Sequence, residues 1–331
     1  MIKPLFSFAA CLALAAPSVA QDQAEKAAPG PSEIVNSAPA RDWVAIPPED
    51  LVVMTLAPDA EGNDRKVVIQ LMPPPFSQGW VENIRLLARS GWYDDISVNR
   101  VQDNYVVQWG DPNYDNPEAT GETKPLPEGL RVMGEDAYID TVRAAAPEDD
   151  TIVLWHPKPD LVDSYAQSTT FSKGWPIGLE IAEGTKVLKR WPVHCYGMVG
   201  VGRNYSPDTG SGAELYTVIG HAPRHLDRNI ALVGRVIEGM EHLSSLPRGK
   251  GELGFYAEFE TDKRTPILTV RVGSDLPDDE QPRYEYLSTE GETFAKYVEA
   301  RANRRDPFFI HPAGGADICN IPIPVRPQSG D

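Results

Sequence analysis

The chain has 331 residues with 48 acidic and 31 basic side chains, a formal net charge of -17 at pH 7. This balance excludes the concentrated basic face that nucleic-acid binding needs and the attraction to an anionic membrane surface, so neither partner is expected. The length exceeds the usual size of a single core, which predicts one core with large additions. We expect a monomer.

The first twenty residues have the features of a secretory signal peptide. Lys3 precedes an apolar run over Leu5–Ala16, and the small residues Ser18–Ala20 offer a cleavage site after Ala20. The run is shorter than the roughly 20 residues that a membrane-spanning helix needs, so no membrane insertion is expected. A lipoprotein anchored through Cys11 is the weaker alternative, because this cysteine lies inside the apolar run. The sequence therefore predicts a protein exported to the periplasm.

The mature chain begins with a polar segment that is followed by a hairpin. Residues 21–41 are rich in Ala, Pro, Ser and charge, which predicts a disordered tether. Two β-rich runs, Leu51–Leu56 and Lys66–Leu71, flank a turn-forming stretch and predict a hairpin. Apolar side chains then recur at a helical period over residues 77–90, which predicts a helix with Ser77 as its cap.

Short strands, an insertion and a C-terminal extension make up the rest. Six further runs predict strands: Ser97–Val101, Tyr105–Gln108, Met198–Val201, Leu215–Ile219, Leu232–Val236 and Ile267–Val272. Between the second and third of these, residues 112–192 are rich in Pro and charge and predict a long loop insertion packed on the core. Many short strands with few helices favour a β-barrel or a sandwich.

The extension, residues 273–331, is predicted to pack on this core. Thr289-x-x-Glu292 has the form of a capping box and predicts a helix with Phe294, Tyr297 and Val298 on one face. The apolar segment Phe308–Pro312 is also expected to pack on the core.

Only Cys195 and Cys319 remain after the predicted cleavage. In an oxidising compartment two cysteines most often form one disulfide, which here would tie the C-terminal segment to the middle of the chain. Two buried free thiols are the alternative. Neither cysteine lies in a CxxC or Cys/His metal spacing, and the sequence has no G-x-S-x-G, H-E-x-x-H or P-loop motif. No metal or cofactor is therefore expected.

Two separated segments carry a more specific pattern. The first contains Gly91-Trp-Tyr-Asp-Asp95, Arg100-Val101 and Gln108-Trp-Gly-Asp111. The second contains Gly197-Met-Val-Gly-Val-Gly202, Gly212-Ala-Glu-Leu-Tyr216 and Leu232-Val-Gly-Arg-Val-Ile-Glu-Gly-Met240. In this order they resemble the cyclophilin family over residues 51–111 and 193–272.

This resemblance implies a mainly β fold, a closed eight-stranded antiparallel barrel capped by two helices, within residues 42–272. The caps would be the helix at 77–90 and a second helix over Met240–Leu246. It also implies peptidyl-prolyl cis-trans isomerase activity on proline-containing polypeptides.

The resemblance further implies a site. Arg100 matches the family's catalytic arginine, and Gln108 matches the glutamine that positions the substrate backbone. The other matched positions belong to the substrate groove: Tyr105, Val106, Gly202, Glu214, Tyr216, His225 and Leu226. Three positions depart from the family pattern. Glu214 stands in place of a glutamine, His225 in place of a tryptophan, and Ile230 where an active-site histidine is common.

Such a site needs no nucleophile, metal or proton shuttle. The X-Pro bond resists rotation by about 18–20 kcal/mol, because amide resonance must be broken on the way. An arginine that donates a hydrogen bond near the proline nitrogen favours the pyramidal, deconjugated nitrogen that exists only in the twisted state. Arginine suits this role because it stays charged at any working pH.

Taken singly, each residue has a plainer interpretation. A strand arginine is usually a solvated or paired surface residue, and an apolar or aromatic side chain is more often core than pocket. The ordered set of residues therefore carries the hypothesis. A non-catalytic module that binds proline-containing segments is the alternative. Glu214 and Ile230 favour that alternative, whereas Arg100 together with Gln108 favours the enzyme.

Overall fold

The structure, a computed structural model, describes residues 28–114, 119–143, 163–185 and 187–328. The predicted signal peptide, residues 1–20, lies outside these ranges. None of the helices within the described ranges is long and apolar enough to cross a membrane.

The strands are, in chain order, β1 (Trp43–Ala45), β2 (Leu51–Leu56), β3 (Arg65–Leu71), β4 (Ile96–Val101), β5 (Val106–Gly110), β6 (Asp140–Arg143), β7 (Ser168–Ser172), β8 (Trp175–Ile181), β9 (Val187–Pro192), β10 (Met198–Val201), β11 (Leu215–Val218), β12 (Leu232–Glu238), β13 (Pro266–Val272), β14 (Tyr284–Leu287) and β15 (Val325–Pro327). The α-helices are α1 (Pro31–Asn36), α2 (Gln78–Arg89), α3 (Met240–Ser244) and α4 (Glu292–Ala302).

Eight of these described strands close into an antiparallel barrel, in the order β10, β11, β5, β4, β13, β2, β3 and β12. On β2, Val52, Met54 and Leu56 are almost fully buried at every second position, because alternate side chains of a barrel strand face its interior. The mainly β fold with a closed eight-stranded antiparallel barrel, which the sequence predicted, is confirmed.

Two helices pack on the barrel where the sequence placed them. On α2, Trp80, Ile84 and Leu87 are buried and lie three or four residues apart, so they form one apolar face. The shorter helix α3 directly follows β12 and packs against β3.

The prediction of a loop over residues 112–192 is wrong where the chain forms four strands. β6, β9, β8 and β7 form a four-stranded antiparallel sheet in that order, called the insertion sheet below. Lys173 and Gly174 alone join β7 to β8, with φ of 50° and 80°. Positive φ at both positions is typical of a type I′ hairpin, but Lys-Gly lacks the Asn-Gly or Asp-Gly pair by which such a turn is recognised.

The insertion sheet is attached to the barrel through Arg235 on β12. Its Nε donates to Oε1 of Gln70 at 2.9 Å, and its NH1 donates to the carbonyl of Gly174 at 2.8 Å. The ring of Trp175 lies 4.6 Å from the guanidinium. Burial lowers the pKa of Arg235 to about 9, so the side chain still carries its charge at neutral pH. A buried cation therefore joins strands of two sheets.

The predicted disordered tether is folded over its described part, residues 28–41. α1 forms there, and the Glu33 carboxylate accepts a hydrogen bond from the Gly30 amide at 2.7 Å, which caps the helix start. Ile34 and Val35 pack on the main core, and α1 packs against α4. The composition suggested disorder, but a short helix with two apolar side chains is ordered once a second helix covers it.

The C-terminal extension forms a sheet with the N-terminal end of the described chain. β14 pairs with β1 on one side and with β15 on the other. On α4, Phe294, Tyr297 and Val298 are buried on one face. The helix begins after Gly291, so the capping box predicted at Thr289 is wrong. The Thr289 hydroxyl instead accepts a hydrogen bond at 3.1 Å from the backbone of the β7–β8 turn.

The prediction that Phe308–Pro312 packs on the barrel is also wrong. Phe308 is 84% exposed and Ile310 is 87% exposed. The segment lies in turns and bends that follow α4, and it has no strand or helix of its own to press its side chains on the core.

Cys195 and Cys319 are joined by a disulfide, with their Cα atoms 5.1 Å apart. Cys195 lies between the insertion sheet and β10, whereas Cys319 lies in the C-terminal extension. The bond therefore ties the extension to the barrel, across 124 residues of sequence.

Removal of this disulfide is expected to lower the free energy of unfolding by about 3–5 kcal/mol, because a long cross-linked loop restricts the unfolded chain. The measurement compares denaturant unfolding of the oxidised protein with that of the Cys195→Ala/Cys319→Ala variant. Peptide mass mapping under non-reducing conditions should show the Cys195 and Cys319 peptides linked. Two alkylatable thiols in the oxidised protein would contradict the bond.

Gly239→Ala is expected to destabilise the fold by several kcal/mol, at the upper end of single substitutions. Gly239 has φ of +79°, and a Cβ there would lie 2.1 Å from the Lys66 carbonyl oxygen, so β3 and the start of α3 would have to separate. Gly62→Ala is the matched control, since Gly62 has φ of +87° but nothing within 4 Å of its Cβ position. Its cost should be only the backbone strain, about 1–2 kcal/mol. Equal losses in thermal or denaturant unfolding would disprove the steric argument.

Candidate functional site

The register of two barrel strands places the predicted catalytic arginine. Arg100 on β4 pairs with Gln108 on β5. Its NH1 donates to Oε1 of Gln108 at 3.1 Å, and its Nε donates to the carbonyl of Leu253 at 2.7 Å. It also donates to the side-chain oxygen of Gln102. None of these three acceptors is a carboxylate, so they orient the guanidinium without neutralising its charge.

Aromatic rings complete the surroundings of this arginine. The guanidinium carbon of Arg100 lies 5.6 Å from the ring centre of Tyr105 and 5.4 Å from that of Phe255. Both distances are within the range of a cation–π interaction. Burial lowers the pKa of Arg100, but arginine starts from so high a value that it remains charged at neutral pH. The site thus holds a fixed, partly desolvated positive charge.

Beside this charge lies an open groove with a volume of about 540 Å³. Seven of the residues proposed from the sequence line it: Arg100, Tyr105, Val106, Gln108, Gly202, Tyr216 and Leu226. Val106, Tyr216 and Val218 form a buried apolar cluster, against which Leu226 and Ile230 pack. The groove therefore joins an apolar patch to a hydrogen-bonding edge, a combination that suits small organic groups such as a proline ring.

The other two proposed substrate residues lie next to this groove. Glu214 lines a smaller cavity that adjoins the groove at Gln108 and Gly202. Its side chain lies across Gly110, where a Cβ would be 1.8 Å from the Glu214 Oε1 atom. His225 is exposed and stacks on Tyr105, with ring centres 6.3 Å apart and planes inclined by 13°. His225 thus forms part of the rim.

Sequence reasoning missed several lining residues: Arg203, Asn204, Tyr205, Leu253 and Phe255. Phe255 forms an isolated β-bridge with Arg100. Gly254, with φ of +83°, lies so close to the residue after β4 that a Cβ would be 2.8 Å from the Cα of Gln102. Three glycines precede Phe255: Gly249, Gly251 and Gly254. Such a run can indicate a backbone segment that packs closely on a strand.

A buried hydrogen-bonded chain, called the relay below, continues from the groove into the protein. The hydroxyl of Tyr216 lies 2.9 Å from Nε2 of His194, and Nδ1 of His194 lies 2.9 Å from the Asp227 carboxylate. Nε of Arg224 donates to the second oxygen of Asp227 at 2.7 Å. NH2 of Arg224 in turn donates to Asp163, in the insertion, at 3.1 Å. All five side chains are buried.

The charges of the relay fix its protons. Burial lowers the pKa of His194, so the imidazole is neutral at pH 7, and burial raises the pKa of Tyr216 well above 10. Burial alone would raise the pKa of Asp227, but hydrogen bonding to His194 and the charge of Arg224 outweigh it and keep the carboxyl ionised. Nδ1 of His194 therefore donates to the carboxylate, and Nε2 accepts from the tyrosine hydroxyl.

No three His, Cys, Asp or Glu side chains in the described ranges are grouped so that they could hold a metal ion. The groove offers instead a fixed guanidinium, that of Arg100, together with the Gln108 amide and an apolar slot.

Comparison with protein families decides the classification. The profile described as cyclophilin type peptidyl-prolyl cis-trans isomerase/CLD matches residues 66–272, more than half of the chain. The chain belongs to this family. It is a peptidyl-prolyl isomerase with an insertion inside its barrel sequence and extensions at both ends of the barrel.

One solved structure gives the same fold, and a second is similar only more distantly. Cyclophilin AquaCyp293 from Hirschia baltica is similar with a TM-score of 0.56 and 19% identity, over 87% of this chain and 95% of that one. A Cryptosporidium parvum cyclophilin, crystallised in the presence of the dipeptide Ala-Pro, is similar with a TM-score of 0.36 and 13% identity. That match covers 67% of this chain and 98% of that one. No curated protein matches the sequence significantly.

This cyclophilin is expected to lose stability as the pH falls below the ordinary pKa of histidine. Burial lowers the pKa of His194 in the folded state; the hydrogen bond to Asp227 and its charge raise it by less than the total lowering, to which Arg224 and His225 add a little. The unfolded chain therefore takes up the proton first. The His194 contribution is fully present above about pH 6.5 and falls by up to about 1.4 kcal/mol per pH unit, until the folded-state pKa is reached.

The measurement is the melting temperature of wild type and of His194→Gln between about pH 5 and about pH 8, a range that spans histidine titration. The variant should lose less stability over this range than wild type does. His242→Gln is the control, because His242 lies on the surface helix α3 with 29% of its side chain exposed. Parallel curves for wild type and His194→Gln would show that burial of this imidazole does not govern the pH response.

Proposed function

We propose that this isomerase is exported and acts on proline-containing segments of proteins that fold in the periplasm. The signal-peptide pattern in residues 1–20 supports export, as does the cysteine pair Cys195 and Cys319, since disulfides persist in oxidising compartments. The acidic surface suits a soluble enzyme that meets polypeptides rather than nucleic acids.

One observation carries the mechanism: the guanidinium of Arg100 is held in one orientation beside an apolar slot. The proline ring would lie on Val106, Tyr216 and Leu226, and the arginine would face the proline nitrogen. As the amide twists, its nitrogen loses resonance and gains a lone pair. An N–H of Arg100 then donates to that lone pair, an interaction that is weak in the planar ground state and strong in the twisted state.

Gln108 would hold the substrate backbone next to the twisting bond. Its Oε1 accepts from Arg100, which leaves the amide NH2 group to donate to a peptide carbonyl. That nitrogen lies 3.5 Å from the Cβ position of Gly202, so a side chain at Gly202 would reduce the space in the groove for the substrate backbone. The pair Arg100 and Gln108 therefore binds both sides of the same bond.

A second candidate is a binding module that holds proline-containing segments without catalysis. Ile230 favours it, because an apolar side chain packs on the groove where the family commonly has a histidine. The fixed arginine favours the enzyme, since binding a proline ring requires only the apolar slot.

Arg100→Ala is expected to lower kcat/KM for an X-Pro peptide by about 10²-fold or more, because a preorganised donor to the transition state is lost. Arg100→Lys should fall between this variant and wild type, since lysine keeps the charge but not the planar fork. The rate is measured by NMR exchange or a protease-coupled assay, with peptide affinity measured in parallel. Arg305→Ala is the control, because Arg305 lies in the extension and pairs with Glu299.

Wild-type exchange at the uncatalysed rate, with the peptide still bound, would establish the binding module instead. Full activity in Arg100→Ala would remove the arginine from the mechanism.

A further inference from the structure

Tyr216 belongs to two different environments at once. Its ring lines the groove, whereas its hydroxyl leaves the groove and reaches Nε2 of His194 at 2.9 Å. The rings of Tyr216 and His194 are nearly parallel, inclined by 12°. A buried tyrosine hydroxyl needs a hydrogen-bond partner, so the position of this ring depends on where the imidazole is held.

His194 in turn is held by Asp227, by the strand that precedes it and by the disulfide that follows it. Its backbone amide and its Nδ1 both lie 2.9 Å from the same oxygen of Asp227. It follows β9 of the insertion sheet after one residue, and the next residue, Cys195, is held by the disulfide to Cys319. The imidazole therefore belongs to a segment that the insertion and the extension immobilise, not to a barrel strand.

Leu226, which packs on the apolar cluster of Tyr216 in the groove, is held by the same chain of contacts. Leu226 lies in the turn between Arg224 and Asp227, whose side chains are bonded to each other at 2.7 Å. Arg224 also donates to Asp163 of the insertion, and its guanidinium lies 5.2 Å from the ring centre of Tyr165. One buried network thus holds an aromatic and an aliphatic residue of the proline slot.

We infer that His194 is a positioning residue for substrate binding, and that the insertion sets the width of the proline slot through the relay of His194, Asp227, Arg224 and Asp163. The inference rests on the proposed function of the groove. His194 does not reach the substrate; it holds Tyr216. Because the slot is shaped before the ligand arrives, binding does not carry the entropic cost of ordering the Tyr216 side chain.

The test uses Tyr216→Phe and His194→Phe, singly and together, in the full oxidised chain. Tyr216→Phe keeps the ring and removes the hydroxyl that His194 holds. Each single variant should weaken the affinity for an X-Pro peptide, and raise KM, by about three- to tenfold, the effect of one hydrogen bond. The kcat should stay near the wild-type value, since Arg100 is unchanged. The double variant should bind no more weakly than the weaker single variant.

Tyr297→Phe is the matched control. Tyr297 is buried in the extension and its hydroxyl donates to the carbonyl of Pro322 at 2.7 Å, and neither residue lines the groove. It should lower the melting temperature and leave peptide affinity unchanged. Folded Tyr216→Phe with wild-type affinity would overturn the inference, as would single effects that multiply in the double variant. If His194→Phe does not fold, Tyr216→Phe alone still decides.

Affinity is measured by NMR titration, which does not require turnover. Absence of catalysis in wild type would therefore sink the proposed isomerase mechanism while leaving the positioning role of His194 open to the same titration. Catalysis with unchanged affinity in the variants would retain the mechanism and reject the positioning role.

Discussion

The antiparallel register of β4 on β5 is the constraint on which the site depends. It sets Arg100 opposite Gln108, and the amide oxygen of the glutamine then orients the guanidinium. A slip of one residue would turn every side chain of the strand to the other face, so the barrel core enforces the register. Val98 and Val101 on β4 are both fully buried, since the register shifts between Val98 and Arg100, and they would have to leave the core if the strand slipped. Apolar packing therefore sets the register of the two strands, and hydrogen bonds then orient the Arg100 guanidinium within that register.

Buried polar and charged contacts connect the insertion to the barrel. The insertion sheet is held at Arg235, whose buried charge meets only an amide, a carbonyl and an indole ring among its named contacts. The second attachment is the relay, which ends beneath the groove. Both are buried and charged, so separating the insertion from the barrel would leave unpaired charges in the interior, which is costly.

The sequence predicted the barrel strands because they are apolar runs of β-branched residues bounded by turns, and the resemblance to cyclophilins implied that they close into a barrel. The prediction failed for segments whose structure depends on contacts with residues far away in sequence or on an unusual turn. α1 is ordered through α4, and the insertion hairpin turns on an uncharacteristic Lys-Gly pair. The site follows the same rule. Arg100 and Gln108 were recognisable by local spacing, whereas Leu253 lies 153 residues from Arg100 in sequence, and no local pattern relates the two. No local pattern pointed to His194, because its partners lie 22 and 33 residues away.

The sheet of β1, β14 and β15 has a consequence for the order in which the protein assembles. Trp43 pairs with Leu287, and the backbone between them contains the whole barrel. During synthesis the N-terminal strand emerges first and waits for a partner made near the end of the chain. The barrel strands can pair earlier, so β1, although it precedes them in the chain, forms its native pairing after they do. Native pairing of β1 therefore has to follow the synthesis of β14.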